Sequence, residues 1–220
     1  MAADFDTLLN ELTQVGAKMA AWAARFDEHF TAMWMRRFNR PRWLSGELDF
    51  NKLHQQALEK AGASELSEIY AFLDRLCLAY LQADSTQREQ VRGVMAAQTA
   101  LVAWLGRYVR EVAERVQTAQ DVDVLRIGLA ALSIEDYSYN PHLDAKARYD
   151  ERHVYDSMAR LYLAARRAGI NAEPHLQAVA ALSSTKASRA APDSPPMRTH
   201  MERFTQTPYF LNVVKKQDSL

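Results

Sequence analysis

Between residues 135 and 156 the chain gathers its densest set of side chains able to do chemistry: Glu135, Asp136, His142, Asp144, Tyr149, Asp150, Glu151, Arg152, His153, Tyr155 and Asp156. Carboxylates and imidazoles are the materials of metal sites and of general acid–base catalysis. Their spacing argues for less. Asp150 and His153 are three apart and can share a helical face. His142 and Asp144 adjoin the turn signal Asn140-Pro141 and reach that face only through tertiary folding. No His-Glu-x-x-His occurs, and no matched pair of Glu-x-x-His. The expected reading is a solvated helix start, with carboxylates at its positive end and ion pairs along its flank. A helical-bundle enzyme or metal-binding protein using this cluster is the alternative, and metal analysis of the purified chain separates the two.

A second candidate lies at residues 33–43. It interleaves Arg36, Arg37, Arg40 and Arg42 with Trp34, Phe38 and Trp43, and contains no acid. Arginine pairs with carboxylates and phosphates, and aromatic rings stack on bases or settle at lipid interfaces. The same pattern also suits the C-terminal end of a helix, where cations oppose the negative pole of the dipole. A protein partner docking on Trp34, Arg36, Arg37, Arg40, Arg42 and Trp43 is the functional expectation. A nucleic-acid or anionic-surface binder is the further alternative, and salt-dependent retention on heparin would reveal it. A third candidate is the apolar stretch at residues 208–214, where Tyr209, Phe210 and Leu211 are available as anchors. Cys77 is the one cysteine and sits in an apolar run, so it reads as a buried small hydrophobe. No glycine-rich phosphate loop, cofactor motif or metal signature is present, and no cofactor or metal ligand is expected.

The elements that position these residues follow from apolar spacing. Phe5, Leu8, Leu12, Val15, Met19, Trp22, Phe26, Phe30 and Met33 recur at three- and four-residue steps. Val91, Val94, Leu101, Leu105, Tyr108, Val112 and Val116 do the same, with polar Gln98 at the intervening position. Each series predicts a long helix with an apolar seam. The first should run from about Asp4 or Asp6 to Phe38, since Pro41 disfavours helix before it. The second should run from about 86 to 117. Between them the pattern predicts two shorter helices divided at Gly62, which give the chain room to return so that the seams pack antiparallel. Asp121 is expected to cap a further helix, Gly169 to close another, and Asn171 to open the last of the core. Leu9, Ala20, Ala23, Val102, Trp104 and Val109 widen the seams beyond a two-stranded coiled coil, which argues for a bundle.

Residues 184–196 are rich in Ser, Ala and Pro and read as a linker. Met197, Met201 and Phe204 then fall on one helical face, and residues 208–214 are β-prone. The expected architecture is all-α: an elongated long-helix bundle over 1–118, a smaller helical region over 119–183, and a tethered tail over 184–220.

The formal net charge is zero, so no global field favours nucleic acid or an anionic membrane. The basic excess sits in the tail, with six Lys/Arg against three Asp/Glu over 184–220. The N-terminal residues lack a basic region followed by an apolar one, and no stretch of about 18 apolar residues could span a bilayer. A lone cysteine fits a reducing, cytoplasmic setting, and abundant arginine and alanine fit a bacterial source. The expected function is that of a non-enzymatic adaptor, regulatory or assembly protein that acts through protein–protein contacts, with self-association a further option.

Overall fold

The computed structural model describes residues 5–38, 50–134, 151–186 and 195–215, and the chain is all-α. Among the described residues eight helices follow in order: α1 (Phe5–Phe38), α2 (Phe50–Gln82), α3 (Ser85–Ala96), α4 (Thr99–Arg115), α5 (Val122–Ile134), α6 (Glu151–Arg167), α7 (Ala172–Ala180) and α8 (Met197–Arg203). Among the described residues, no helix is long and apolar enough to cross a membrane.

The first seam is buried as its spacing requires. Leu8, Leu12, Val15, Met19, Trp22 and Phe26 all lie in the core, and Phe5, Phe30 and Met33 pack at its margin. Its main cover is α2. Glu11 pairs with Arg75, Trp22 bonds to Gly62, and Arg25 bonds to Ala61. As one number rises the other falls, so α1 and α2 are antiparallel. As expected, two helical segments are divided at Gly62, which is non-helical at φ 105°, ψ 88°; they run on in one direction across this kink and are together labelled α2. That left-handed conformation suits glycine because any Cβ would be strained. The carbonyls at the kink find donors on α1. The Trp22 indole N–H donates to Gly62 O at 2.9 Å, and Arg25 Nε donates to Ala61 O at 3.3 Å. The kink is therefore held by the neighbouring helix as well as by its own residue.

The second seam is also buried, but not as one helix. It breaks at Ala97-Gln98, where Gln98 leaves helical geometry at φ −94°, ψ 69°. The seam's polar residue marks the break, and Gly16 on α1 accommodates it. A Cβ built on Gly16 would fall 2.0 Å from Gln98 Oε1. The two long helices are α1 and α2, while the second seam is shared by α3 and α4.

This change also corrects the expected antiparallel pairing of the seams. Gln98 meets Gly16, and Trp104 meets Trp22 and Phe26, so α4 advances along α1 in the same direction. The reason is parity. The two segments of α2 run in one direction across Gly62, so the chain reverses once instead of twice and comes back to its starting end. At the α3 entrance, Asp84 and Gln87 form a capping box, with Gln87 N donating to Asp84 Oδ1 at 2.9 Å and Asp84 N to Gln87 Oε1 at 3.1 Å.

Asp121 behaves differently from the expected cap. Its Oδ2 accepts from Gln117 N at 2.9 Å and Thr118 N at 2.8 Å. The carboxylate thus ties the turn that precedes α5 rather than the first amides of α5. These bonds to the charged form hold its carboxyl below the usual range.

Helix α5 is the centre of the second half. Leu125, Ile127, Leu129, Ala130, Ala131, Leu132 and Ile134 are all buried, together with Gly128 and Ser133. A helix apolar on every side must be enclosed, and α5 touches α2, α3, α4, α6 and α7. Gly128 permits the closest approach: a Cβ there would lie 2.6 Å from Leu161 Cδ2 and 3.1 Å from Val112 Cγ1. Helix α6 closes on Gly169 at φ 77°. Ile170 N donates to Ala165 O at 2.8 Å and Gly169 N to Arg166 O at 3.0 Å, completing a Schellman close. Asn171 caps α7, its side chain accepting from Glu173 N at 3.3 Å.

Among the described residues the tail contains no strand. After α8 the chain makes a 3-10 turn, Phe204–Gln206, and a π-helical turn, Phe210–Val214. The β-prone composition of 208–214 is overridden by docking, as tertiary context commonly overrides such preferences. Met197, Met201, Phe204 and Val214 join the same core as α1–α7. The linker's described ends are drawn together by Arg198 N donating to Ser184 O at 3.2 Å. Residues 187–194 lie outside the described chain.

Candidate functional site

Three regions hold the candidate contact and chemical residues. The first is the far end of α1. Trp34, Arg36 and Arg37 belong to its last turns, but their side chains lie outside the described residues, as do Arg40, Arg42 and Trp43 altogether. What the structure describes is the aromatic cluster on which they follow. Trp22 and Trp104 meet edge-to-face at 4.7 Å, and Phe26 meets Trp104 at 4.8 Å. Phe30 stacks on Phe26 at 5.8 Å. His54 from α2 joins them, 5.0 Å from Phe26 and 6.2 Å from Phe30. Trp22 is wholly enclosed, whereas Phe30, Met33, His54 and Trp104 are half-buried. The cluster grades from core to surface along α1.

The charge at this end is positive where it meets the rings. Arg107 Nη1 lies 3.2 Å from His54 Nδ1, and Arg107 Nε lies 3.8 Å from Glu111 Oε1. Burial lowers the His54 pKa, and the Arg107 and Arg110 charges lower it further. The ring is therefore neutral near pH 7. Burial also pushes the Glu111 carboxyl up, opposed by Arg107. Sequence reading used Trp104 only to widen a seam and did not single out His54, Arg107 or Arg110. A signal existed: Trp104, Arg107 and Arg110 or Glu111 recur at three- and four-residue steps on one helical stripe. His54 came close only through the fold.

The second region is the docked tail. Phe210 meets Tyr162 at 5.0 Å and Phe204 at 5.2 Å, and Tyr209 meets Tyr155 at 5.8 Å. The Tyr209 hydroxyl donates to the Asp156 carboxylate. Burial and this bond push Tyr209 up to about 12. Leu211 points outward and is 46% exposed. Of the three tail candidates, Tyr209 and Phe210 thus contact the chain's own α6, and Leu211 is the one left to solvent. Tyr155 and Asp156 are the described polar members of the 135–156 cluster, and they receive the tail, Tyr155 through His200 Nδ1 at 3.1 Å. Glu135, Asp136, His142, Asp144, Tyr149 and Asp150 lie outside the described residues, as do the side chains of Glu151, Arg152 and His153.

The third region is polar chemistry that joins helices, in part enclosed and in part, at Asp74 and Arg115, open to solvent. Tyr108 donates to Asp74 Oδ1 at 2.6 Å, and Arg115 grips the same carboxylate at 2.9 and 3.2 Å. Cys77 is enclosed beside this group, and burial pushes its thiol well up, away from the reactive thiolate. Tyr80 bonds with Ser133 Oγ at 2.9 Å and donates to Leu182 O at 3.2 Å, while Ser183 Oγ donates to Ser133 Oγ at 2.9 Å. Arg92 donates to the Tyr80 hydroxyl and to Leu182 O. These groups tie α2, α3, α4, α5 and the segment after α7 to one another, and they offer no exposed nucleophile. Among the described residues no group of three metal-ligating side chains comes together. Compared with family models, curated proteins and solved structures, the chain matches none.

Proposed function

We propose that this protein is a non-enzymatic helical adaptor or assembly component, and that its partner docks on the end of the bundle built by the second half of α1 with α2 and α4. The observation that supports this reading is the grading of one aromatic cluster from enclosed Trp22 to half-buried Phe30, Met33 and Trp104. Interfaces are enriched in Trp, Phe, Met and Arg, and the arginine-aromatic residues 34–43 continue from this same end. A bacterial, cytoplasmic setting is part of the proposal and fits the lone, enclosed Cys77.

The test is charge reversal. Arg36→Glu combined with Arg40→Glu should abolish capture of the partner from the native source while leaving the melting temperature nearly unchanged. Exposed arginines contribute under about 1 kcal/mol each to stability, whereas reversal adds repulsion at an acidic partner. Normal capture by the folded double variant would move the site elsewhere, with Leu211 and its tail neighbours next. Retention on heparin that fell with salt would replace a protein partner with a polyanion.

A further inference from the structure

We propose that the corner formed by His54 on α2 with Arg107 and Arg110 on α4, walled by Phe26, Phe30 and Trp104, binds a carboxylate carried beside an apolar side chain on an acidic segment of the partner protein. The inference rests on the adaptor reading and names the chemistry of its partner.

The argument begins with hydrogen-bond valence. A guanidinium can only donate. With Arg107 Nη1 at 3.2 Å, His54 Nδ1 must accept, so the ring proton resides on Nε2. That Nε2–H has no acceptor among the described residues. Arg107 Nε is buried and without a hydrogen-bond partner, because Glu111 Oε1 stops at 3.8 Å. Arg110 is exposed and forms no ion pair among the described residues. Arg107 Nε is sealed and holds its place beside His54, so the donors that two helices bring to one aromatic edge are the His54 Nε2–H and the Arg110 guanidinium, and the charges that His54 senses are both positive. Glu111 is the acid beside them and is already engaged by Arg107.

Planar, forked N–H donors select a planar acceptor, which makes a carboxylate the fitting group. Phe30 and Trp104, half-buried, give its carrier an apolar surface. The rings of Phe26, Phe30, His54 and Trp104 lie against one another at centroid distances of 4.8 to 6.4 Å. The corner is thus a surface rather than a chamber. Small acids are usually held by enclosure, so a side chain delivered on another backbone is the better occupant.

The experiment uses the full chain and three probes: acetyl-Leu-Glu-Phe-Glu-Leu-amide, the same peptide with Gln for Glu, and phenylacetate. Binding is followed through the His54 ring protons by nuclear magnetic resonance. The acidic peptide should shift them saturably and raise the His54 pKa, since a bound anion favours the charged ring. Arg110→Gln should weaken binding about fivefold, the loss of one exposed ion pair, and Arg110→Lys, which keeps the charge but not the fork, should restore only part of it, with unfolding midpoints unchanged. Equal binding of the Glu and Gln peptides, or indifference to Arg110→Gln, overturns the proposal. Binding of phenylacetate without the peptide overturns the partner assignment. If partner capture still depends on Arg36 and Arg40 while these probes fail, the adaptor reading stands and this corner is not its site. If both fail, the adaptor reading falls with it.

Discussion

Trp22 serves the core with its ring and the α2 kink with its nitrogen. Trp22→Ala should destabilise the fold by about 3–5 kcal/mol, and Leu105→Ala, equally enclosed, by about 2–5 kcal/mol. Trp22→Phe should retain most of the buried area but orphan the Gly62 carbonyl, at about 1–3 kcal/mol. Urea unfolding measures all three. Changes within about 0.5 kcal/mol at both Trp22→Ala and Leu105→Ala would place the seams in solvent. At this scale the sequence was most legible where a residue's role follows from period alone. Leu12, Met19 and Leu105 could be read as core from their neighbours three and four positions away. Asp121 could not, because an Asp between two helices serves either side equally well until the turn geometry is known. His54 was silent for a related reason. Its partners Phe26 and Arg107 are distant in sequence, and no local pattern encodes their meeting.

Element boundaries divide in the same way. Glycine and capping residues marked Gly62, Gly169 and Asn171, since each acts through its own backbone or its immediate neighbours. The break at Ala97-Gln98 was hidden because the apolar spacing resumes at Leu101 in register with Val94, so that Gln98 reads as one polar seam position rather than as a boundary. Only the meeting of Gln98 with Gly16 reveals it. Tight spacing between elements is testable at Gly128, where Gly128→Ala should cost about 1–3 kcal/mol as an overpacked contact with Leu161. Leu161→Ala in the same chain should recover part of that loss, measured as a non-additive double-mutant cycle. The tail gives a second test. Protease is expected to cut first within 184–196, yet Met197, Met201, Phe204 and Val214 are enclosed. The two pieces should therefore elute together on native size exclusion and part only in denaturant. A tail that elutes alone would show that its docking is weak.

For the whole molecule, the tyrosines set the alkaline limit. Burial raises Tyr80, Tyr108 and Tyr162 above their ordinary value of 10.0, and raises Tyr209 to about 12. An acid with a raised folded pKa keeps its proton in the folded state after the unfolded chain has lost it. Stability therefore falls as pH rises from about 10 through the folded values. Absorbance at 295 nm should show these phenols ionising together with loss of the helical circular dichroism signal. Smooth titration of all tyrosines near pH 10 in a chain that stays folded would contradict their burial. The all-α class could be read in full from the sequence, because helical spacing recurs throughout. The parallel course of α1 and α4 could not. It depends on whether the chain between them reverses once or twice, and that rested on the single residue Gly62.

Helix α5 also has a consequence for synthesis. Its covering helices belong to both sides of it in the chain: α2, α3 and α4 come before it, and α6 and α7 after. When the ribosome has released the chain only as far as Ile134, the α6- and α7-facing sides of α5 have nothing to lie against. A nascent chain at that stage presents an uncovered apolar helix, and such surface recruits chaperones or other unfinished chains. A chain truncated after residue 134 and released should therefore aggregate or be held by a chaperone, whereas the full chain closes the helix from both sides.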